Sequence, residues 1–374
     1  RLYPFMCAWD DHEFANNAYF EGAENHNGGE GSWHQRRAAA NQAYFEWLPI
    51  REQQIFVSYR SFDFGELATL AMLDTRIIGR ERDLTYDKDP DWIRTAVDDG
   101  AGGKTTVPIA YDADGNEVTD AKTLRDLTER TLPEGWEYRR DYRAFHKRLE
   151  TEERSMMGAP QEKWLKETLK ASKKNDIPWQ ILGQQVIMSM QRRPPTSSVY
   201  TEAEKAAASE RQKESWKMHE NLGFRYNPDA WDGFQPARKR VLDMLEQDAV
   251  NPIVLAGDTH NGWAHSIVHE MGGKHYGAEF AVQGITSPGA GDCNPHFKEI
   301  EQKYLEMNDH MAYTSISGRG YMTITISEKE TIADWYVVSD IESKEFDLWH
   351  KKSLRYKAGD VADGKVTLED IKTS

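Results

Sequence analysis

The chain has 374 residues, a net charge of −15 and a sequence pI near 5.3, with 39% of its residues hydrophobic and 29% charged. That length and composition allow a substantial core and exclude a disordered chain. The acidic balance argues against non-specific nucleic-acid binding, which needs a basic face, and no apolar run approaches the ~20 residues that span a bilayer.

Taken in chain order, YPFMCAWDD (3–11) reads as an apolar strand ending in polar residues, and 17–33 as a Gly- and Asn-rich loop. SWHQRRAAANQAYFEWL (32–48) reads as a helix with Ser32 at its N-cap. QQIFVSYRSFDFGELATLAMLDTR (53–76) holds two strands joined by a turn at Gly65. Residues 81–150 are polar and read as an insertion, with a hairpin turn in YDADGNEVTD (111–120). APQEKWLKETLKAS (159–172) is an amphipathic helix with Pro160 near its first turn. PWQILGQQVIMSM (178–190) is an apolar strand broken at Gly183-Gln184-Gln185. Residues 200–221 and 235–247 read as helices. NPIVLAGDTHNGWAHSIVHE (251–270) is a strand, a polar turn, then a helix or another strand. AEFAVQGITSP (278–288) is a strand, RGYMTITIS and TIADWYVVSD (319–340) form a hairpin, and a charged tail follows from Glu342. Strands mixed with helices indicate an α/β architecture.

Several strands end on polar residues: WDD, LDTR, LGQQ and LAGDTH. In α/β folds, sites form where loops leave strand ends. Asp10, Asp11, His12, Asn16 and Asn17 offer oxygen ligands for a hard cation and an imidazole for proton transfer, or alternatively form an exposed polar loop. Asp258 and His260 sit two apart on a turn that Gly257 permits; a capping Asp and a solvent His is the plain alternative. Gln184 and Gln185 are adjacent amides, of which only one can face a site from a strand. Asp74 and Arg76 read first as a salt-bridged pair, or as an Arg orienting a carboxylate.

Other chemistries lack support. Cys7 and Cys293 form no CxxC pair and read as buried or half-buried thiols. DADGNE (112–117) and DVADGKVTLED (360–370) resemble EF-hand loops but misplace the glycine or the ligands. No GxSxG, P-loop or usable GxGxxG occurs. What remains is an oxygen-rich metal site with histidine nearby, suited to phosphoryl transfer.

Six segments in order, WDDHEFANN, LDTRIIGRERD, RSMMGAPQEKWL, WQILGQQVIM, AGDTHNGWA and ITSP, resemble the PhoD-like alkaline phosphatases, from Phe5 to about Val338. The resemblance implies an α/β fold, a four-layer αββα sandwich of metallophosphoesterase type. It implies one catalytic domain over 1–374, with the insertion at about 81–150, the tail from about 342 and its upstream part missing. It implies metal-dependent hydrolysis of small phosphate esters by a metal-activated hydroxide, with calcium and iron, or another divalent metal, as cofactors. The enzyme is expected outside the cytoplasm, periplasmic or secreted.

Carried over by motif, Asp11 takes a metal-ligating position and His12 the phosphate-contacting acid. Asp10 and Asn17 are further metal ligands, and Gln184 or Gln185 replaces a metal-binding His. Asp258 is a ligand, His260 touches metal or phosphate, and Arg76 joins the catalytic group with Asp74 behind it. The family's upstream GDxxYxD motif and its cysteine are absent from this sequence, and the first residue is Arg1. The simplest expectation is the C-terminal part of a longer or cleaved protein, with its own N-terminal fragment as a partner chain and poor turnover without it. Two alternatives stand beside this: a phosphodiesterase or phospholipase with little monoesterase activity, and a non-catalytic calcium-binding subunit.

Overall fold

The computed structural model describes residues 3–48, 50, 57–220, 225, 227–292 and 294–371. In chain order it has helix α1 (Trp33–Trp47) and strands β1 (Arg60–Phe64), β2 (Ala68–Met72), β3 (Arg94–Asp98), β4 (Lys104–Pro108) and β5 (Ala110–Tyr111). Helix α2 (Ala121–Asp126), strand β6 (Glu137–Tyr138), helices α3 (Tyr142–Leu149) and α4 (Gly158–Lys174), and strand β7 (Trp179–Gly183) follow. Next come helices α5 (Glu202–Ala207), α6 (Glu210–Glu220) and α7 (Gln235–Asp248), then strands β8 (Asn251–Ala256), β9 (Gly262–Val268) and β10 (His275–Ala281). Helix α8 (Phe297–Met307) precedes β11 (Met311–Ser315), β12 (Arg319–Ile326), β13 (Glu330–Val338), β14 (Leu348–Lys357) and β15 (Glu369–Asp370). The chain divides into two compact units, Arg1–Asp83 with Glu152–Ser374, and Leu84–Thr151.

The larger unit is built on a seven-stranded sheet ordered β1-β2-β7-β8-β10-β9-β11. Strands β2, β7 and β8 are parallel neighbours. Parallel strands are covered on both faces, so they read as unbroken apolar runs; β7 is buried at every position. On one face, Leu182 and Val254 meet Leu165 and Leu169 of α4 and Val241, Leu242 and Leu245 of α7. Helix α4 presents this stripe because Gln161, Leu165, Leu169 and Ser172 recur at helical spacing. On the other face, Ile181, Ile253 and Phe280 meet Trp335, Leu354 and Tyr356 of a second sheet, ordered β12-β13-β14-β15. Strand β13 alternates, with Thr331, Ala333, Trp335 and Val337 buried. The Trp335 indole donates to the Ala281 carbonyl at 2.9 Å, so one buried ring ties the two sheets. The result is the α/β sandwich that the resemblance implied.

Two sequence expectations change and one left open is resolved. Residues 4–10 form no strand; the ladder position beside β2 is taken by antiparallel β1, and this segment is held by side chains instead. The stretch after the GDTH turn is strand β9, paired with both β10 and β11. The charged segment from Glu342 supplies β14, which pairs along β13 and buries Ser353, Leu354 and Tyr356. Gln53–Phe56, Asn221 and Cys293 lie outside the described residues; Cys7 is a free, half-buried thiol.

The unit Leu84–Thr151 has its own small core of Val97, Ala110 and Leu124. Strands β3 and β4 form a hairpin, and the side chains of Asp120 and Asp141 cap α2 and α3. Asp112 accepts from the backbone N–H groups of Asp114 and Asn116 at 3.0 and 2.8 Å, so its carboxylate closes a turn. No helix among the described residues is long and apolar enough to cross a membrane.

Candidate metal centre

Because β2, β7 and β8 run parallel and adjacent, their C-terminal ends share one sheet edge. The loops LDTR, GQQ and GDTH therefore leave side by side. The fourth loop, Trp9-Asp10-Asp11, is fastened to them by hydrogen bonds. Asp74 Oδ2 accepts from Trp9 Nε1 and from Ser58 Oγ, each at 2.9 Å. Its Oδ1 accepts from the backbone of Arg76 and Ile77 at 2.9 and 2.8 Å. Gln161 on α4 grips the Asp74 backbone, accepting from its N–H and donating to its carbonyl, both at 2.8 Å. The α4 N-terminus reaches this loop because Gly79 and Gly158 abut: a Cβ on Gly79 would lie 2.5 Å from Gly158 Cα.

Gln185 completes the fastening. Its Oε1 accepts from Thr75 N and Thr75 Oγ1 at 3.1 and 2.6 Å, and its Nε2 donates to the carbonyls of Trp9 and Leu73 at 2.7 and 3.1 Å. Gln184 turns away, its Oε1 accepting from Trp231 Nε1 at 2.7 Å. Its buried Nε2 has no hydrogen-bond partner among the described residues. Gln185 is thus fully engaged with protein groups, and Gln184 through its oxygen alone.

Asp10, Asp11 and Asp258 each present one carboxylate oxygen, all within 4.8 Å of one another. Arg76, with no exposed surface, organises this group from beneath. Its Nε donates to Asp10 Oδ1 at 2.7 Å, Nη2 to Asp258 Oδ1 at 2.7 Å, and Nη1 to both oxygens of Asp229 at 2.9 and 2.8 Å. Arg80 also donates to Asp229. The salt-bridged pair expected of Asp74 and Arg76 does not form: Asp74 takes the Arg76 backbone, and the guanidinium reaches three carboxylates from distant loops. With no exposed surface and its guanidinium bonded to three carboxylates, Arg76 holds the acidic group in place.

The electrostatics follow from burial. Burial pushes the Asp258 carboxyl up to about 8; Arg76 opposes the rise, while Asp10, Asp229 and Asp11 add to it. Burial raises Asp10 as well, against the pull of Arg76. For Asp229 the balance reverses: burial still raises it, but Arg76 and Arg80 outweigh that and hold it below the usual range. Burial disfavours the Arg76 charge, yet Asp229, Asp10, Asp258 and Asp11 outweigh it and lift Arg76 well above its ordinary value.

Backbone strain collects here. Of the four non-glycine residues with positive φ among those described, three lie at this edge: Asn17 (49°), Asp258 (60°) and His260 (59°). Such conformations cost about 1–3 kcal/mol each and persist where the surroundings over-determine them. The other expected residues are placed as follows. His12 is 75% exposed, with Nε2 4.0 Å from Asp11 Oδ2. His260 Nδ1 lies 3.0 Å from the Pro288 carbonyl, which can only accept, so Nδ1 carries a proton. Asn17 gives its backbone N–H to Asp11 Oδ2 at 2.8 Å, while its amide goes to Glu24 at 3.3 Å. Asp229 and Arg80 escaped the sequence reading. Asp229 sits in a turn where its N–H donates to Asn227 Oδ1 at 3.0 Å, so its local signal is that of an ordinary turn residue.

The donors fit a hard cation. Asp10, Asp11 and Asp258 each use one oxygen on a protein donor, and among the described residues no protein donor reaches the other oxygen. Four carboxylates, counting Asp229, surround two guanidiniums, so the ionised group keeps an excess of two negative charges. An all-oxygen donor set with that excess suits a divalent ion such as calcium. Asp258 also lines a cavity of about 520 Å³ with Thr259, Arg193, Tyr200 and Trp216.

The sequence model of the PhoD-like phosphatases matches residues 1–335. Alkaline phosphatase D of Bacillus subtilis (strain 168) is 25% identical over 345 residues, covering 90% of this chain and 44% of that protein. A solved structure described as "Structure of PhoD" shares the fold, with a TM-score of 0.64 at 23% identity, covering 99% of this chain and 55% of that one. The chain thus spans about half the length of the relatives it matches. With the family model covering most of its length, the chain belongs to the PhoD-like phosphatase family.

Proposed function

We propose that this chain carries the centre of a metal-dependent phosphoesterase, with Asp10, Asp11 and Asp258 holding the cation. The observation that carries this reading is the meeting of three carboxylates, each with one oxygen that no described protein donor reaches, one of which, Asp258, lines a cavity. The oxygen donors suit calcium or another hard cation, and iron as well, which carboxylates also hold. When bound, the metal supplies Lewis-acid polarisation of a phosphoryl oxygen and a lowered pKa for its water.

The chain's own residues do the rest. Arg76 is a positioning residue that fixes Asp10 and Asp258 relative to each other. His12, exposed at the rim, donates a proton to the leaving oxygen. His260, its Nδ1 committed to Pro288, keeps Nε2 to ligate the metal through its lone pair or, when that nitrogen is protonated, to donate to a phosphoryl oxygen. Leu84–Thr151 is an insertion in the catalytic domain, and the enzyme works outside the cytoplasm, as the family resemblance implies. A second reading, activity on diesters, is favoured by the cavity, whose size exceeds what a phosphoryl group needs.

Asp258→Asn tests the assignment. An Asn oxygen still accepts from Arg76, so the fold is retained while the ligand charge is lost. Bound metal and hydrolysis of an aryl phosphate should fall together. Unchanged metal content would remove Asp258 from the ligands. Metal uptake without hydrolysis of mono- or diesters by the wild type would favour a calcium-binding subunit.

A further inference from the structure

The cavity beside the acidic group has a second wall. Tyr200 and Trp216 lie with ring centroids 4.9 Å apart at 44°, and both line the same cavity as Asp258. Their placement is over-determined. His296 packs edge-on against Tyr200 at 4.8 Å, and Asn294 Nδ2 donates to the Tyr200 hydroxyl at 2.8 Å. His296 Nε2 in turn meets Glu204 Oε1 at 2.9 Å, which pins α5 next to this wall. Trp216 stands in ERQKESWKMHE, a helix otherwise dominated by charged and polar residues. An indole on such a helix needs a surface to cover, and both rings here remain half-exposed to the cavity.

We infer that Tyr200 and Trp216 form a subsite for a planar aromatic substituent of the phosphoester, in the cavity that Asp258 also lines. This rests on the phosphoesterase reading and specifies its substrate class. Two aromatic faces held at fixed tilt offer a flat ring stacking and edge contacts that an alkyl group cannot reproduce. The cavity has room for such a ring beside a phosphoryl group. Arg193 lines the same space.

The test is calorimetric titration of the metal-loaded protein with two non-hydrolysable probes, benzylphosphonate and ethylphosphonate. The expected result is about tenfold tighter binding of benzylphosphonate. Trp216→Leu should erase that ratio by weakening the benzyl probe alone, and Trp216→Phe should keep most of it. Trp349→Leu, at an exposed tryptophan of β14, controls for loss of an aromatic elsewhere. Equal affinity for the two probes, or a ratio that survives Trp216→Leu, overturns the subsite while leaving the phosphoesterase reading intact. Binding of neither probe overturns both.

Discussion

A proton and a metal compete for Asp258, and the competition has a calculable size. The carboxyl sits at about 8 without metal, chiefly through burial, against about 3.9 in an unfolded chain. Between those values the folded, metal-free protein binds the extra proton, so its stability falls as pH rises through that window. A divalent cation reverses the sense, because it binds the deprotonated carboxylate. Its apparent affinity should rise up to tenfold per pH unit below about 8 and level off above. Protonation at pH 6 weakens binding by about 10^(8−6), or roughly 100-fold, relative to the plateau. Asp10, raised in the same direction, steepens the lower part of the curve. Calorimetric titration of calcium at pH 6, 7, 8 and 9, repeated in two buffers of different ionisation enthalpy, counts the protons released. Near one proton per calcium is expected at pH 7. Asp258→Asn should bind weakly at every pH with a flattened profile. Calcium affinity in the wild type that is level from pH 6 to 8, with no proton release, would refute the reasoning.

Two further outcomes test the frame around the site. Arg76→Met leaves Asp229 and Asp258 buried without their main partner, and should cost about 3–5 kcal/mol in metal-free denaturant unfolding; Arg76→Lys should recover little, since one ammonium cannot serve three carboxylates. A loss below about 1 kcal/mol would mean that Arg80 suffices. His310 is buried against His265, and burial first, then the His265 charge, hold it at about 4. A lowered imidazole contributes stability that is complete above about 6.5 and is lost as pH falls towards 4. At pH 5 the loss is about 2 kcal/mol, measured as the difference between wild type and His310→Gln in the change of urea stability from pH 7.5 to pH 5, which cancels the opposite contribution of Asp258 common to both proteins.

The primary sequence by itself determined the parallel strands and the polar residues at their ends. Short, largely apolar runs such as WQILG and NPIVLA, bounded by turn residues, read as strands covered on both faces, and polar residues directly after them lie at the sheet edge. Asp10, Asp11 and Asp258 were legible for that reason. Partner choice was not. Arg76 and Asp74 are two residues apart and looked paired, but Asp74 folds back onto the backbone of its own loop. The Arg76 guanidinium instead reaches residues 66, 153 and 182 positions away. Asp229 had no motif to reveal it, since its role exists only where a buried arginine meets it. Gln184 and Gln185 were interchangeable in sequence; Thr75 and Trp9 on one side and Trp231 on the other gave each its task. Local chemistry sets which groups reach the edge of the sheet. Only the packing of loops far apart in the chain decides which of them face one another, because a buried charge takes its partner from whatever the fold brings within hydrogen-bond distance.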